Sequence, residues 1–397
     1  MRVEQLLHNH LQKSVVMHSK RLDSLMCAVT AGMKDRCVTV TGLGRRLRMS
    51  IKVKNKIKKI DRLVGNSHLH QEIPSIYQCM TGLILGNIRR PIIIVDWSPL
   101  GQGTEHQLLR ATLPSGGRAL TLYESAYPES LLTSRKVHQE FLAKLCQILP
   151  AGCTPIIVTD AGFRNTWFED VSSLGWDWVG RVRNRTHYLA ANAEQWVPIK
   201  SLYHHATSRP QYIGHGNLSR RTSVSCGLYL YKKQPKGRVL KTLKGAKCRQ
   251  ATSLKIAQRE REPWLIATSL HHNTTLSRKI IKIYAKRAQI ENGFRDTKNQ
   301  RLGFSLNDSK TSHTARLNVL LIIIAIATFG LWLLGGLLKQ KQLHFQFQAN
   351  TIKNRNVLSN VFLGWQIINN SSPRFKRADW LSVIDSISID FNYETIL

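Results

Sequence analysis

The chain has 397 residues, 42% of them apolar and nine of them tryptophan, more core than one small module holds, since a single core stops growing at roughly 250 to 300 residues. Lys and Arg number 58 against 24 Asp and Glu, a surplus of +34 that attracts polyanions by counterion release and marks nucleic acid as the expected partner. The seven cysteines include no CxxC pair and the fifteen histidines no HExxH, which argues against a disulfide framework and against bound zinc.

Residues 1–85 read as a helical, basic DNA-binding domain. The first thirty residues lack the continuous apolar core of a signal peptide. Thr41 to Leu47 is a short helix candidate, and Ser50 is placed to cap a second helix that runs to about Val64. On that helix Val53, Ile57, Ile60 and Val64 recur at helical spacing, while Lys52, Lys56, Lys59 and Arg62 take other faces. The pair resembles a helix-turn-helix whose basic second helix enters a DNA groove; a solvated lysine-rich surface helix fits the same pattern equally well. Gly65-Asn-Ser67 supplies the stop.

Residues 86–183 change to strands. Pro91-Ile-Ile-Ile-Val-Asp96 is a short apolar run of the kind a covered central strand needs. His106 to Leu113 and Arg118 to Glu124 read as a hairpin about Pro114-Ser-Gly-Gly117. A helix over Ser134 to Leu149 precedes Pro155-Ile-Ile-Val-Thr-Asp160, a second apolar run ending in Asp, followed by a helix from Asn165 to Leu174 and a strand from Trp176 to Val182. Residues 184–262 read as a β-rich basic insertion, with a mobile loop expected at Lys232 to Ser253. In residues 263–338 a strand from Trp264 to Thr268 precedes one long helix from Leu276 to Lys298. Val319 to Leu338 then runs twenty residues without a charge, long enough to span a membrane, but a helix buried on all sides is the expectation. Residues 339–397 form a C-terminal region and a candidate dimer contact. The order of elements is that of an α/β, ribonuclease-H-like core.

Asp96 and Asp160 each close an apolar run, and in open α/β sheets ligands gather at the ends of neighbouring strands. A helical projection at roughly 100° per residue sets Tyr284, Arg287, Glu291 and Lys298 on one stripe, beside an apolar side of Ile283, Ile290 and Phe294. An exposed Arg287–Glu291 ion pair is the plain reading of that stripe. The chemical one is that Asp96, Asp160 and Glu291 form a carboxylate cage for two Mg²⁺ ions, or Mn²⁺, while the basic neighbours hold phosphates.

At these residues the chain resembles a known family, the DDE transposases of bacterial insertion sequences, of the IS-four type and closest to the Tn-ten transposase group. The signature Y-x(2)-R-x(3)-E-x(6)-K is matched by Tyr284, Arg287, Glu291 and Lys298, with VDWS at Asp96 and TDAGF at Asp160 as the aspartate motifs. The likeness also covers KRLDSL at 20–25, NKIKKIDRLVGN and NTIKNRNVLS at 350–359. It implies cut-and-paste transposition: Mg²⁺ on the three acids, phosphate contacts from Tyr284, Arg287 and Lys298, and a hairpin intermediate. It also implies a flipped base stacked on Trp264, joining of transposon-end DNA to target DNA, and a synaptic homodimer without membrane attachment, in the bacterial cytoplasm at the nucleoid. Asn292-Gly293 departs from the bulkier residues usual after the glutamate. The alternatives are a non-catalytic DNA-binding protein or inactivated transposase relative, a nuclease or resolvase on the same core, and a membrane-anchored basic protein.

Overall fold

The computed structural model describes residues 1–101, 105–183, 186–234, 245–246, 250–251, 254, 262–301, 303–352, 354–370 and 374–391. It is mixed α/β, with ten strands and twelve α-helices among those residues, and packing divides it into two units, 1–155 with 288–397 and 156–287. The mobile loop expected at Lys232 to Ser253 lies for the most part outside the described residues.

The larger unit opens with α1 (Val3–Ser14), α2 (Ser19–Asp35), α3 (Val40–Arg46), α4 (Val53–Val64) and α5 (Ser67–Leu85). Helix α3 packs on α4 and both pack on α2. Ser50 is not the cap of α4: Lys52 holds that position in extended backbone with no side-chain cap, so the connector is two residues longer than the Ser50 cap predicts. What positions α4 is its packing on α3, not a capping hydrogen bond. Ile60, Leu63 and Val64 are buried, but Val53, at the free start of the helix, is 52% exposed, so the apolar stripe is shorter than its spacing predicts. The Gly65–Asn66 stop holds, since the Asn66 side chain accepts from the Leu69 amide at 2.9 Å and starts α5.

Strands β1 (Ile92–Leu100), β2 (His106–Ser115) and β3 (Arg118–Pro128) follow as an antiparallel set in the order β3-β2-β1. The turn between β2 and β3 is only Gly116–Gly117, both at positive φ (55° and 86°), tighter than the four-residue loop the sequence suggests. Asp96 does not end its strand. Pairing of β1 with β2 continues through Leu100↔His106, which places Asp96 mid-strand opposite Arg110.

After α6 (Arg135–Ile148) the chain enters the smaller unit and returns to complete the larger one with α9 (Ala288–Lys298), α10 (Thr314–Gln340), α11 (Asn360–Asn370) and α12 (Arg377–Phe391). Helix α10 contains the uncharged run, and its most apolar window is 83% buried, against α1, α2, α5, α11, α12 and β3. That is the environment of a core helix. Gly335 of α10 and Gly364 of α11 make the closest crossing: a Cβ on either would overlap backbone of the other helix, at Asn360 and Leu331 respectively.

The smaller unit holds β4 (Ile156–Thr159), α7 (Asn165–Ser173), β5 (Asp177–Val182), β6 (His187–Ala190), β7 (Val197–Pro198), β8 (Gln211–Leu218), β9 (Val224–Tyr231), β10 (Trp264–Thr268) and α8 (Leu276–Ala285). Strands β4 and β5 are parallel and joined through α7; β10 lies antiparallel to β5, and β9, β8, β6 and β7 continue outward in that order. Strands from 184–262 thus extend the sheet that β4 begins. Its core includes Trp178, fully buried and stacked on Phe168 at 4.1 Å.

The helix expected from Leu276 to Lys298 is two helices, α8 and α9. At Lys286 and Arg287 the amides bond to the carbonyls of Ile283 (3.1 Å) and Tyr284 (3.0 Å), three residues back instead of four, and the α-helical ladder is interrupted.

Candidate active site

In the larger unit the site begins as a row of charges across one sheet face. Asp96 on β1 pairs in register with Arg110 on β2, and Arg110 with Glu124 on β3, so the three side chains share a face. The last pairing depends on a bulge, because the register steps from Thr112↔Thr121 to Ala111↔Tyr123 and leaves Leu122 as the extra residue. Arg110 and Glu124 are 3% and 0% exposed and form an ion pair with Nε 2.5 Å from Oε2. Tyr77 donates to the other Glu124 oxygen at 3.2 Å, and Arg110 Nη2 donates to Thr297 Oγ1 at 2.9 Å. Burial pushes the Glu124 carboxyl up, with Arg110 and the Tyr77 hydrogen bond pulling the other way.

Helix α9 lies over this face and supplies Glu291 and Lys298. Glu291 is exposed in the first turn, where the helix dipole favours a carboxylate. Lys298, the last residue, donates to Ser98 Oγ at 2.5 Å, lies 5.3 Å from the Phe294 ring, and feels the charge of Asp96. Burial, then the nearby Arg110, brings its ammonium down to about 8. Asp96 itself accepts the Trp97 amide on Oδ1 at 2.9 Å.

In the smaller unit Asp160 follows the last residue of β4 directly, as the apolar run predicts, and its Oδ1 accepts the Gly162 amide at 2.7 Å. Tyr284 on α8 is 4% exposed; burial pushes its hydroxyl up, and the positive charges of Arg287 and Arg181 and the carboxylate of Asp160 act on it. The hydroxyl also hydrogen-bonds Arg181, whose Nη2 donates to the carbonyls of Glu262 and Pro263 at 3.4 and 3.3 Å. Arg287 lies in the turn after α8. Trp264 opens β10, half-buried, its ring 5.0 Å from Tyr284 and 5.9 Å from Tyr231, with Lys233 Nζ at 5.7 Å.

Tyr284, Arg287, Glu291 and Lys298 therefore do not form the single helical stripe the projection predicts. The turn at 286–287 separates them, with Tyr284 and Arg287 in the smaller unit and Glu291 and Lys298 in the larger. Of the N-terminal basic residues, Lys52 and Arg62 are exposed and Lys56 and Lys59 half-buried on α4. Among the described residues no group of three or more His, Cys, Asp and Glu is gathered to hold a metal ion. The donor chemistry of Asp96, Asp160 and Glu291 is nonetheless all oxygen, the set that a hard divalent cation takes. Sequence reasoning missed Ser98, Arg110, Glu124 and Arg181. The signal for Arg110 and Glu124 was a lone charge inside each of two apolar hairpin strands.

Residues 89–328 match the family described as the transposase DDE domain, more than half of the chain. The protein belongs to the DDE transposase family. A search of curated proteins finds no match. The matched span contains all of β1 to β10 and α6 to α9, including every member of the two clusters above except Tyr77. Membership makes the chain one of a family of nucleic-acid-processing enzymes, with DNA as the substrate that this domain implies.

Proposed function

We propose that the protein is a cut-and-paste DNA transposase of the IS-four type, related to the Tn-ten group and built on a ribonuclease-H-like core. One observation carries the reading: the matched span holds Asp96, Asp160 and Glu291 in order, with Tyr284, Arg287 and Lys298 at the signature spacing around the glutamate. The three strands, helix, strand, helix, parallel strand from β1 to β5 support the core. In this reading residues 1–85 bind the terminal inverted repeats, with Lys52, Lys56, Lys59 and Arg62 toward DNA. Residues 86–183 and 263–338 form the catalytic core, 184–262 the insertion, and 339–397 a dimer contact.

Asp96, Asp160 and Glu291 would hold Mg²⁺ or Mn²⁺, which when bound supplies Lewis acidity for in-line phosphoryl transfer. The chain's own groups do the positioning. Lys298, anchored on Ser98, presents its ammonium to a phosphate oxygen beside Asp96. Arg287 takes a second phosphate, and Tyr284, braced by Arg181, fixes the backbone that carries it. Trp264, half-buried and flanked by Tyr231 and Tyr284, stacks an unpaired base. Water frees a 3′ hydroxyl, that hydroxyl attacks the opposite strand to give a hairpin, and the reopened end joins target DNA within a homodimer. The site of action is the bacterial nucleoid.

The test is to incubate the protein with Mg²⁺ and a duplex carrying the flanking inverted repeat and to resolve products on a denaturing gel. Wild type should give hairpin ends, and Asp160→Ala should bind the duplex and cut nothing. Wild type that binds without cutting makes the chain a non-catalytic DNA-binding relative; cut ends that neither fold into hairpins nor join target make it a nuclease.

A further inference from the structure

The larger unit contains a cavity of about 410 Å³ whose wall includes Arg36, Arg118, Arg295 and Lys339 with Asp296. We propose that this cavity is a phosphate-binding site, separate from the transposition chemistry. Asp296 is already engaged, its Oδ2 2.6 Å from Arg118 Nε, so a single carboxylate faces four cations. Arg36, Arg118 and Lys339 are half-buried and Arg295 is exposed; four like charges around one space repel one another, and a bound anion offsets that repulsion.

Arg36 gives the clearest sign of an awaited partner. It follows α2 in left-handed backbone (φ 52°), and its guanidinium is pinned 5.2 Å from the Trp365 ring and 6.0 Å from the Phe304 ring. Its Nε is shielded from solvent and has no hydrogen-bond partner among the described residues. Burial lowers the pKa of both Arg36 and Lys339, the direction expected when a cation is desolvated without enough opposing charge. Guanidinium forks match carboxylate and phosphate oxygens alike, and phosphate, with more acceptor oxygens and more negative charge, suits three arginines around one space better than a carboxylate does. Asn356 and Ser359 add polar groups from the 350–359 segment, which has no part in the proposed catalysis.

The phosphate could be a DNA phosphodiester or a free phosphate, and two arms separate these. In the first, full-length protein is titrated with pyrophosphate at constant ionic strength and followed by thermal melting and calorimetry. The variants are Arg36→Gln, Lys339→Gln and, as control, Lys144→Gln, an exposed position on α6. Wild type and the control should bind pyrophosphate alike, and both cavity variants should lose at least fivefold in affinity. In the second arm, duplex DNA affinity is measured across a salt series. If the ligand is the DNA backbone, each cavity variant lowers the log–log salt slope by about one unit. If it is free phosphate, the slopes stay unchanged while the pyrophosphate response is still lost. Absence of pyrophosphate binding by wild type, retention of it by both variants, or equal loss in the control overturns the proposal. Circular dichroism monitors folding, and Lys339→Gln decides alone if Arg36→Gln unfolds. No arm requires strand cleavage, so failure here and failure of the transposase reading are read independently.

Discussion

Lys298 is held where its charge works against folding. Burial brings its ammonium down to about 8 in the folded protein, against 10.5 for an unburied lysine side chain. Between those values the unfolded chain binds more protons, so this group's contribution to stability rises with pH across the window and is least favourable below 8. In metal-free buffer, Lys298→Met should raise stability at pH 7 by on the order of 1 kcal/mol and flatten the rise toward pH 10, as read by denaturant melts at the two pH values. In the proposed role at a phosphate, the same variant should lose at least about tenfold in strand cleavage, because residues kept for function are commonly held at a cost to the fold. Glu124 is the opposite case. Glu124→Gln leaves Arg110 buried without its counter-charge and should cost about 3–5 kcal/mol, measured by the same melts. The residue types at Asp96, Asp160 and Glu291 were legible in the sequence, because a carboxylate closing an apolar run or standing among basic residues is conspicuous. The Arg110–Glu124 pair was not. Continuing the hairpin register from Ser115↔Arg118 without interruption puts Tyr123 opposite Arg110, and only the extra residue Leu122 brings Glu124 there.

Element types followed hydrophobic periodicity, and the break in the helix expected from Leu276 to Lys298 lies where a turn carries no marker residue. Neither Gly nor Pro marks the break at Lys286–Arg287, so a helical projection had no means of detecting it. The glycines show how context separates residues that look alike. Gly293 lies mid-helix in α9, where a Cβ would meet Arg110 Nη1 at 3.6 Å and Ala119 Cβ at 3.9 Å, ordinary contact distances. Gly293→Ala should therefore stabilise the protein by about 0.5–1 kcal/mol in thermal or chemical melts, and the bulk absent from this position is not required by the packing. Gly44 in α3 is the reverse, because a Cβ would lie 2.5 Å from the Ile57 Cα of α4. Gly44→Ala should force α3 and α4 apart, destabilise by about 1–3 kcal/mol, and weaken inverted-repeat binding in a gel-shift assay if α4 is the DNA-reading helix.

At the scale of the molecule, α10 is the element whose meaning depends most on its surroundings. Leu333 on it is fully buried, so Leu333→Ala should cost about 2–5 kcal/mol in chemical denaturation, as in a packed protein core. Wild-type protein should stay in the supernatant after high-speed centrifugation without detergent; sedimentation with lipid would count against the core assignment. The sequence by itself determined the mixed α/β class, the basic character, the order of the core elements and which acids are candidates, because composition and short-range periodicity are written along the chain. Only the tertiary structure decided that the longest apolar run is a core helix, that Asp96 lies within its strand, that Arg110 meets Glu124, and that the signature around Glu291 is divided by a turn. Those features depend on strand register, on which helices pack together and on where water is excluded, and such contacts join residues too far apart in sequence for any local pattern to encode.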